Sequence, residues 1–200
     1  RIRESFMKII RHLLAAGLCA ASATVFAAEP AAAAGDAATP PGFWQNPAIT
    51  GYGEIHPLPK AAYQPQPGET YKVVFSVTKA AEKPADTSSA LEAVARAVNL
   101  YVSAGVPLDH LKFVVILSGA MTDSALDDEH YKLKLGADKN PNLDLIRKLR
   151  SAGVDVAVCG QAVLGRKEQY EWVAPEVKVA LSALTTITML QHEGYALMPL

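Results

Sequence analysis

From Tyr71 onward the chain alternates short β-branched apolar runs with longer stretches of helical period, an order that few folds accept. Tyr71 to Thr78 (YKVVFSVT), Leu111 to Leu117 (LKFVVIL), Val154 to Val158, Glu176 to Leu181 and Tyr195 to Met198 read as five strands. Thr87-Ser88-Ser89 offers N-caps, Ser89 and Glu92 have capping-box spacing, and Leu91, Val94, Ala95, Val98, Tyr101 and Val102 recur at helical period up to Gly105. Helical segments are also expected over Asp123 to Leu135, closed by Gly136, from Asn140-Pro141-Asn142 to Gly153, and over Ser182 to Glu193, ended by Gly194. Strands separated by helices need crossover connections. The expectation is a single compact α/β domain whose mostly parallel five-stranded sheet carries helices on both faces. The apolar second strand suits a central position, buried on both sides.

The segment before that domain, residues 40–70, is different. Pro40 to Gly68 holds seven prolines, yet also Phe43, Trp44, Ile49, Tyr52, Ile55 and Tyr63. Proline fixes an extended backbone and the aromatics need something to bury, so an extended arm is expected, lying across its own domain or a neighbouring subunit. Residues 28–39 are mostly alanine and read as a linker. Residues 1–27 read as a signal peptide. Met7-Lys8-Ile9-Ile10-Arg11-His12 is a basic start, Leu13 to Ala23 an apolar stretch too short to span a bilayer, and Val25-Phe26-Ala27 a small-residue cleavage site. Arg1 to Phe6 precede the expected start at Met7.

Removing that segment changes the composition that matters. Of 19 basic and 20 acidic residues, Arg1, Arg3, Lys8, Arg11 and Glu4 leave with it, so residues 28–200 carry 15 and 19, net −4. This argues against a nucleic-acid partner, and no integral membrane span is expected in the mature chain. Cys19 leaves too, and Cys159 remains alone in a chain expected to be periplasmic or secreted. It cannot form an internal disulfide. It is a buried apolar residue, an inter-chain partner, or a reactive thiol.

Ligands of parallel sheets sit beyond the carboxyl ends of the strands. Three segments fall there: Thr78-Lys79-Ala80, Ser118-Gly119-Ala120 and Cys159-Gly160-Gln161. Gly160 permits a tight turn, and a helix starting there would aim amides at the sulfur and favour the thiolate. The chain lacks C-x-x-C, and the arginine of a C-x5-R anion loop falls one residue late, at Arg166, which reads as a solvated surface residue. No histidine has a hydrolase signature. Asp127-Asp128-Glu129-His130 fans out around a helix and reads as a solvated face rather than a metal site, and Glu54-x-His56 is equally weak. No metal or cofactor is expected; in particular, no Gly-rich phosphate loop is present to support nucleotide binding.

Several blocks in order, Tyr71-Lys72-Val73-Val74-Phe75, Leu126-Asp127-Asp128, Asn140-Pro141-Asn142-Leu143, Val158-Cys159-Gly160-Gln161-Ala162 and Val179-Ala180-Leu181-Ser182-Ala183-Leu184, resemble the DsrE/DsrF-like sulfur-relay family. Gly51-Tyr52-Gly53-Glu54-Ile55-His56-Pro57-Leu58-Pro59 is similar to the prologue of its exported members. The resemblance covers the domain at 71–200 and implies homo-oligomers, trimers or hexamers. It also implies a persulfide on the cysteine after a central strand, matched here by Cys159. Some members carry His-Gly after the second strand, where this chain has Ser118-Gly119. The expected role is that of a periplasmic sulfur carrier or sulfurtransferase using this single cysteine. Cys159 would be catalytic, Ser118, Gly119, Gly160 and Gln161 would line the site, and a thiol protein or small sulfane-sulfur compound would be donor or acceptor. Two other readings stay open: a non-enzymatic oligomeric binding or assembly module with Cys159 buried, and a redox-sensing thiol protein.

Overall fold

The computed structural model describes residues 40–200. The expectations for a signal peptide at 1–27 and a linker at 28–39 lie outside the described residues. Five strands, β1 (Tyr71–Val77), β2 (Leu111–Leu117), β3 (Asp155–Cys159), β4 (Lys178–Ala180) and β5 (Ala196–Pro199), form one sheet in the order β4-β3-β2-β1-β5. All pairs are parallel, with Tyr71 opposite Leu111, Leu117 opposite Val158, Cys159 opposite Ala180 and Val73 opposite Ala196.

Strand alternation divides the apolar side chains between two faces. Val73, Phe75, Val77, Phe113, Val115, Leu117, Val156 and Val158 join the core beneath α1 (Ser89–Ser103) and α3 (Leu143–Ser151). The rings of Phe75 and Phe113 meet edge-to-face at 5.2 Å. On the other face Val74, Ile116 and Ala157 pack under Ala183, Ile187 and Leu190 of α5 (Ala183–His192). The first face is thus covered by α1 and α3, with Val163 from the turn of helix after β3 joining the same core, and the other by α5, none of whose residues is fully buried.

Helix starts follow local chemistry. Ser88, the middle one of the three caps offered by Thr87-Ser88-Ser89, accepts the Leu91 amide and opens α1. Where one helical stretch was expected over Asp123 to Leu135, a 3-10 segment (Gly119–Ala125) precedes α2 (Asp128–Leu135). Asp127 divides them: its carboxylate accepts the His130 amide, capping a helix that can begin only after it. A short helix, α4 (Gly160–Gly165), follows β3 directly.

The arm lies on its own domain. Ile49 and Ile55 are buried, and Gln45 and Ile55 form an antiparallel bridge. Its anchor is Asn99 in the middle of α1. The Asn99 Oδ1 accepts from the amides of Ala48 (3.0 Å) and Ile49 (2.8 Å), and its Nδ2 donates to the carbonyls of Tyr52 and Gly53 (2.9 Å each). That uses the full hydrogen-bonding capacity of a carboxamide. The arm comes so close that a Cβ on Gly53 (φ +60°) would lie 2.2 Å from the Arg96 nitrogen.

Candidate functional site

Cys159 is the last residue of β3 and the N-cap of α4. Counting alternation from Val158, which points into the two-helix core, places its side chain on the α5 side of the sheet. There the N-terminus of α5 meets it. Sγ lies 4.0 Å from Oγ of Ser182, the residue that caps α5 by accepting the Leu184 amide. Two helix N-termini, of α4 and α5, therefore converge on one sulfur. Burial pushes the thiol up, but the amides of Ala183, Ala162 and Gln161 and the Ser182 hydroxyl hydrogen-bond the sulfur and outweigh it, so the pKa is lowered. The residue is 6% exposed.

Gly160 serves this arrangement by its missing side chain. A Cβ there would sit 2.7 Å from the Ala180 carbonyl and 3.3 Å from the Tyr170 hydroxyl, so only glycine lets α4 start against β4. Gln161 contributes its backbone amide. Ser118 and Gly119 follow β2, and the register that sets Leu117 opposite Val158 sets Ser118 at the position opposite Cys159. The hydroxyl within reach of the sulfur is that of Ser182, 23 residues along the chain. Ser182 was read from the sequence as a helix start and as part of the Val179–Leu184 block, not as a site residue. Its N-cap role is a local signal, whereas its approach to Cys159 depends on β3 pairing with β4.

A second polar constellation lies near the other end of α4. Arg166, read from the sequence as solvated, forks onto Asp123, with Nε 2.7 Å from Oδ1. Lys134 bridges Asp123 (2.9 Å) and Glu168. The Arg166 guanidinium, the neighbouring Glu168 side chain and the Lys134 ammonium together overcome burial and hold Asp123 down at about 2. Burial and the neighbouring Asp123 push Glu168 up to about 7 against the pull of Lys134. The Oε2 of Glu168 is buried without a hydrogen-bond partner. His130, also read as solvated, holds Asp127 through Nδ1 (2.8 Å) and stacks on Trp172, ring centroids 4.6 Å apart. Among the described residues no cluster of three or more His, Cys, Asp and Glu is placed to hold a metal, and no helix is long and apolar enough to cross a membrane.

A parallel α/β sheet with one cysteine at its carboxyl edge, set at two helix N-termini, defines a thiol-bearing α/β domain. The DsrE/DsrF-like family profile matches residues 71–200, and the chain belongs to that family. Among solved structures, a protein of unknown function from Methanobacterium thermoautotrophicum, MTH1491, is similar at 19% identity, over 65% of this chain and 99% of its own, with a TM-score of 0.48. Comparison with curated proteins gives no match.

Proposed function

We propose that this chain is an exported sulfur carrier of the DsrE/DsrF-like family, in which Cys159 accepts a sulfane sulfur and passes it to another thiol. The observation that carries the reading is the lowered thiol at two converging helix N-termini, because the thiolate is the attacking form. The Cys159 thiolate attacks the outer sulfur of a persulfide R–S–SH. The S–S bond breaks, its electron pair leaves as R–S⁻, and Cys159 becomes Cys–S–SH. A thiolate of the acceptor then takes the outer sulfur and the Cys159 thiolate is regenerated. Each step exchanges one S–S bond for another, with no net oxidation. Gln161, Ala162, Ala183 and Ser182 stabilise the thiolate, and Ser118 and Gly119 line the neighbouring strand end.

Assembly into a homo-oligomer, a trimer or hexamer, is supported by apolar side chains left exposed on and beside α5, with Leu184 80%, Leu181 72% and Met189 63% exposed. Export to the periplasm rests on the reading of residues 1–27. Incubation with polysulfide, followed by mass spectrometry, is expected to show added sulfur on the wild-type chain and none on Cys159→Ala; equal behaviour of the two defeats the proposal.

The low exposure of Cys159 favours a second reading, an assembly module in which the thiol is only packing. That reading predicts no alkylation of Cys159 in the native protein.

A further inference from the structure

The surface beyond the C-terminal end of α4 holds a cavity of about 350 Å³ that the sulfur chemistry does not use. Its lining includes His130, Trp172, Lys134, Arg166, Lys167 and Glu168. We propose that this cavity binds a small organic carboxylate with a flat apolar body.

Charge is the first support. Lys134, Arg166 and Lys167 line the cavity against one acid, Glu168, and below a pH of about 7 that acid holds its proton. Asp123, beneath them, is ionised and engages one edge of the Arg166 guanidinium and one bond of the Lys134 ammonium. A guanidinium has five N–H donors and an ammonium three; Lys134 gives a second one to Glu168, so each cation still keeps at least one donor for an anion. Lys167 has no ion-pair partner among the described residues.

The backbone supplies the second support. The chain leaves α4 through paired bonds, Lys167 N–H to the Leu164 carbonyl (2.9 Å) and Glu168 N–H to the Val163 carbonyl (3.1 Å). This closure is ordinarily made with glycine in the left-handed region. Here Lys167 occupies it at φ +60°, although Gly165 stands only two residues before. A lysine held where glycine would be unstrained is placed for what its side chain reaches, and it lines the cavity.

The body of the ligand follows from the remaining wall. The rings of His130 and Trp172 lie nearly parallel, 14° apart, and Leu133 beside them is 76% exposed. A cavity of this volume is in the range of small-molecule sites, and an inorganic oxyanion would leave these rings uncovered.

Benzoate is the probe. Calorimetry on the full chain is expected to show saturable binding with a Kd of about 1 mM or tighter. The fluorescence of Trp172 in a Trp44→Phe background should follow it. Sulfate at matched ionic strength should bind at least about tenfold more weakly. Lys167→Glu, at an exposed position, should weaken benzoate about tenfold by reversing one charge at contact range. Cys159→Ala should leave the affinity unchanged, since the cavity does not depend on the thiol. Absence of saturable benzoate binding, sulfate binding as tight as benzoate, or indifference to Lys167→Glu each overturns the proposal.

Discussion

The sulfur of Cys159 and the hydroxyl of Ser182 lie 4.0 Å apart, and the same hydroxyl oxygen accepts the Leu184 amide at the start of α5. Ser182 thus ties the thiol to the cap of α5. Ser182→Ala is expected to raise the thiol pKa and to cost about 1 kcal/mol of stability through the lost cap. Ser182→Thr, which keeps the hydroxyl, should recover most of both. The check is the pH dependence of Cys159 alkylation. A profile identical in wild type and Ser182→Ala would mean that the hydroxyl does not act on the sulfur.

Asn99 holds four backbone groups of the arm with one side chain, in a buried setting where water cannot replace it. Asn99→Ala leaves those groups unpaired and should cost about 2–4 kcal/mol in urea unfolding. Asn99→Asp, which keeps the acceptors and turns a carboxylate oxygen onto the carbonyls of Tyr52 and Gly53, should be no better. A loss under about 0.5 kcal/mol for Asn99→Ala would show that the arm is held by its apolar contacts alone.

Asp123 and Glu168 give stability a pH dependence with two opposite limbs. The native state keeps the Glu168 proton up to about 7, whereas the unfolded chain releases it near 4.5. This contribution is complete below about 4.5 and is lost as pH rises through about 7. Asp123 is the reverse: its contribution is present above 3.8 and lost as pH falls through about 2. From this pair, stability is expected to peak near pH 4–5 and to fall by about 1–3 kcal/mol toward pH 8. Glu168→Gln, which mimics the protonated acid, should flatten the upper limb in thermal unfolding; a limb as steep as that of wild type would assign it to other groups.

The five strands and the helices between them were legible because each rests on local signals, apolar runs and small-residue stops. Ends were less so: Ser88, Ser89 and Ser182 all look like caps, and only the path of the backbone selects which oxygen faces an open amide. Asn99 was missed because it interrupts the buried stripe of a helix, and its purpose lies about fifty residues earlier in the chain. The same distance hid Arg166, whose partner Asp123 stands 43 residues away, and His130, whose stack with Trp172 forms only through tertiary folding. Cys159 was visible as the lone cysteine at a strand end. The convergence of a second helix on it follows from the pairing of β3 with β4, which residue spacing does not encode.

The position of β5 at the outer edge beside β1 sets the order in which the sheet can close. Among the described strands β1 comes first along the chain and β5 last, yet they are neighbours. Until the final strand arrives, β1 offers an open, apolar edge to any other chain, while β2 covers only its opposite side. Contacts so distant in sequence form slowly. The folding domain is therefore most exposed to mispairing just before β5 docks, and newly made protein should aggregate through β1 when that docking is delayed.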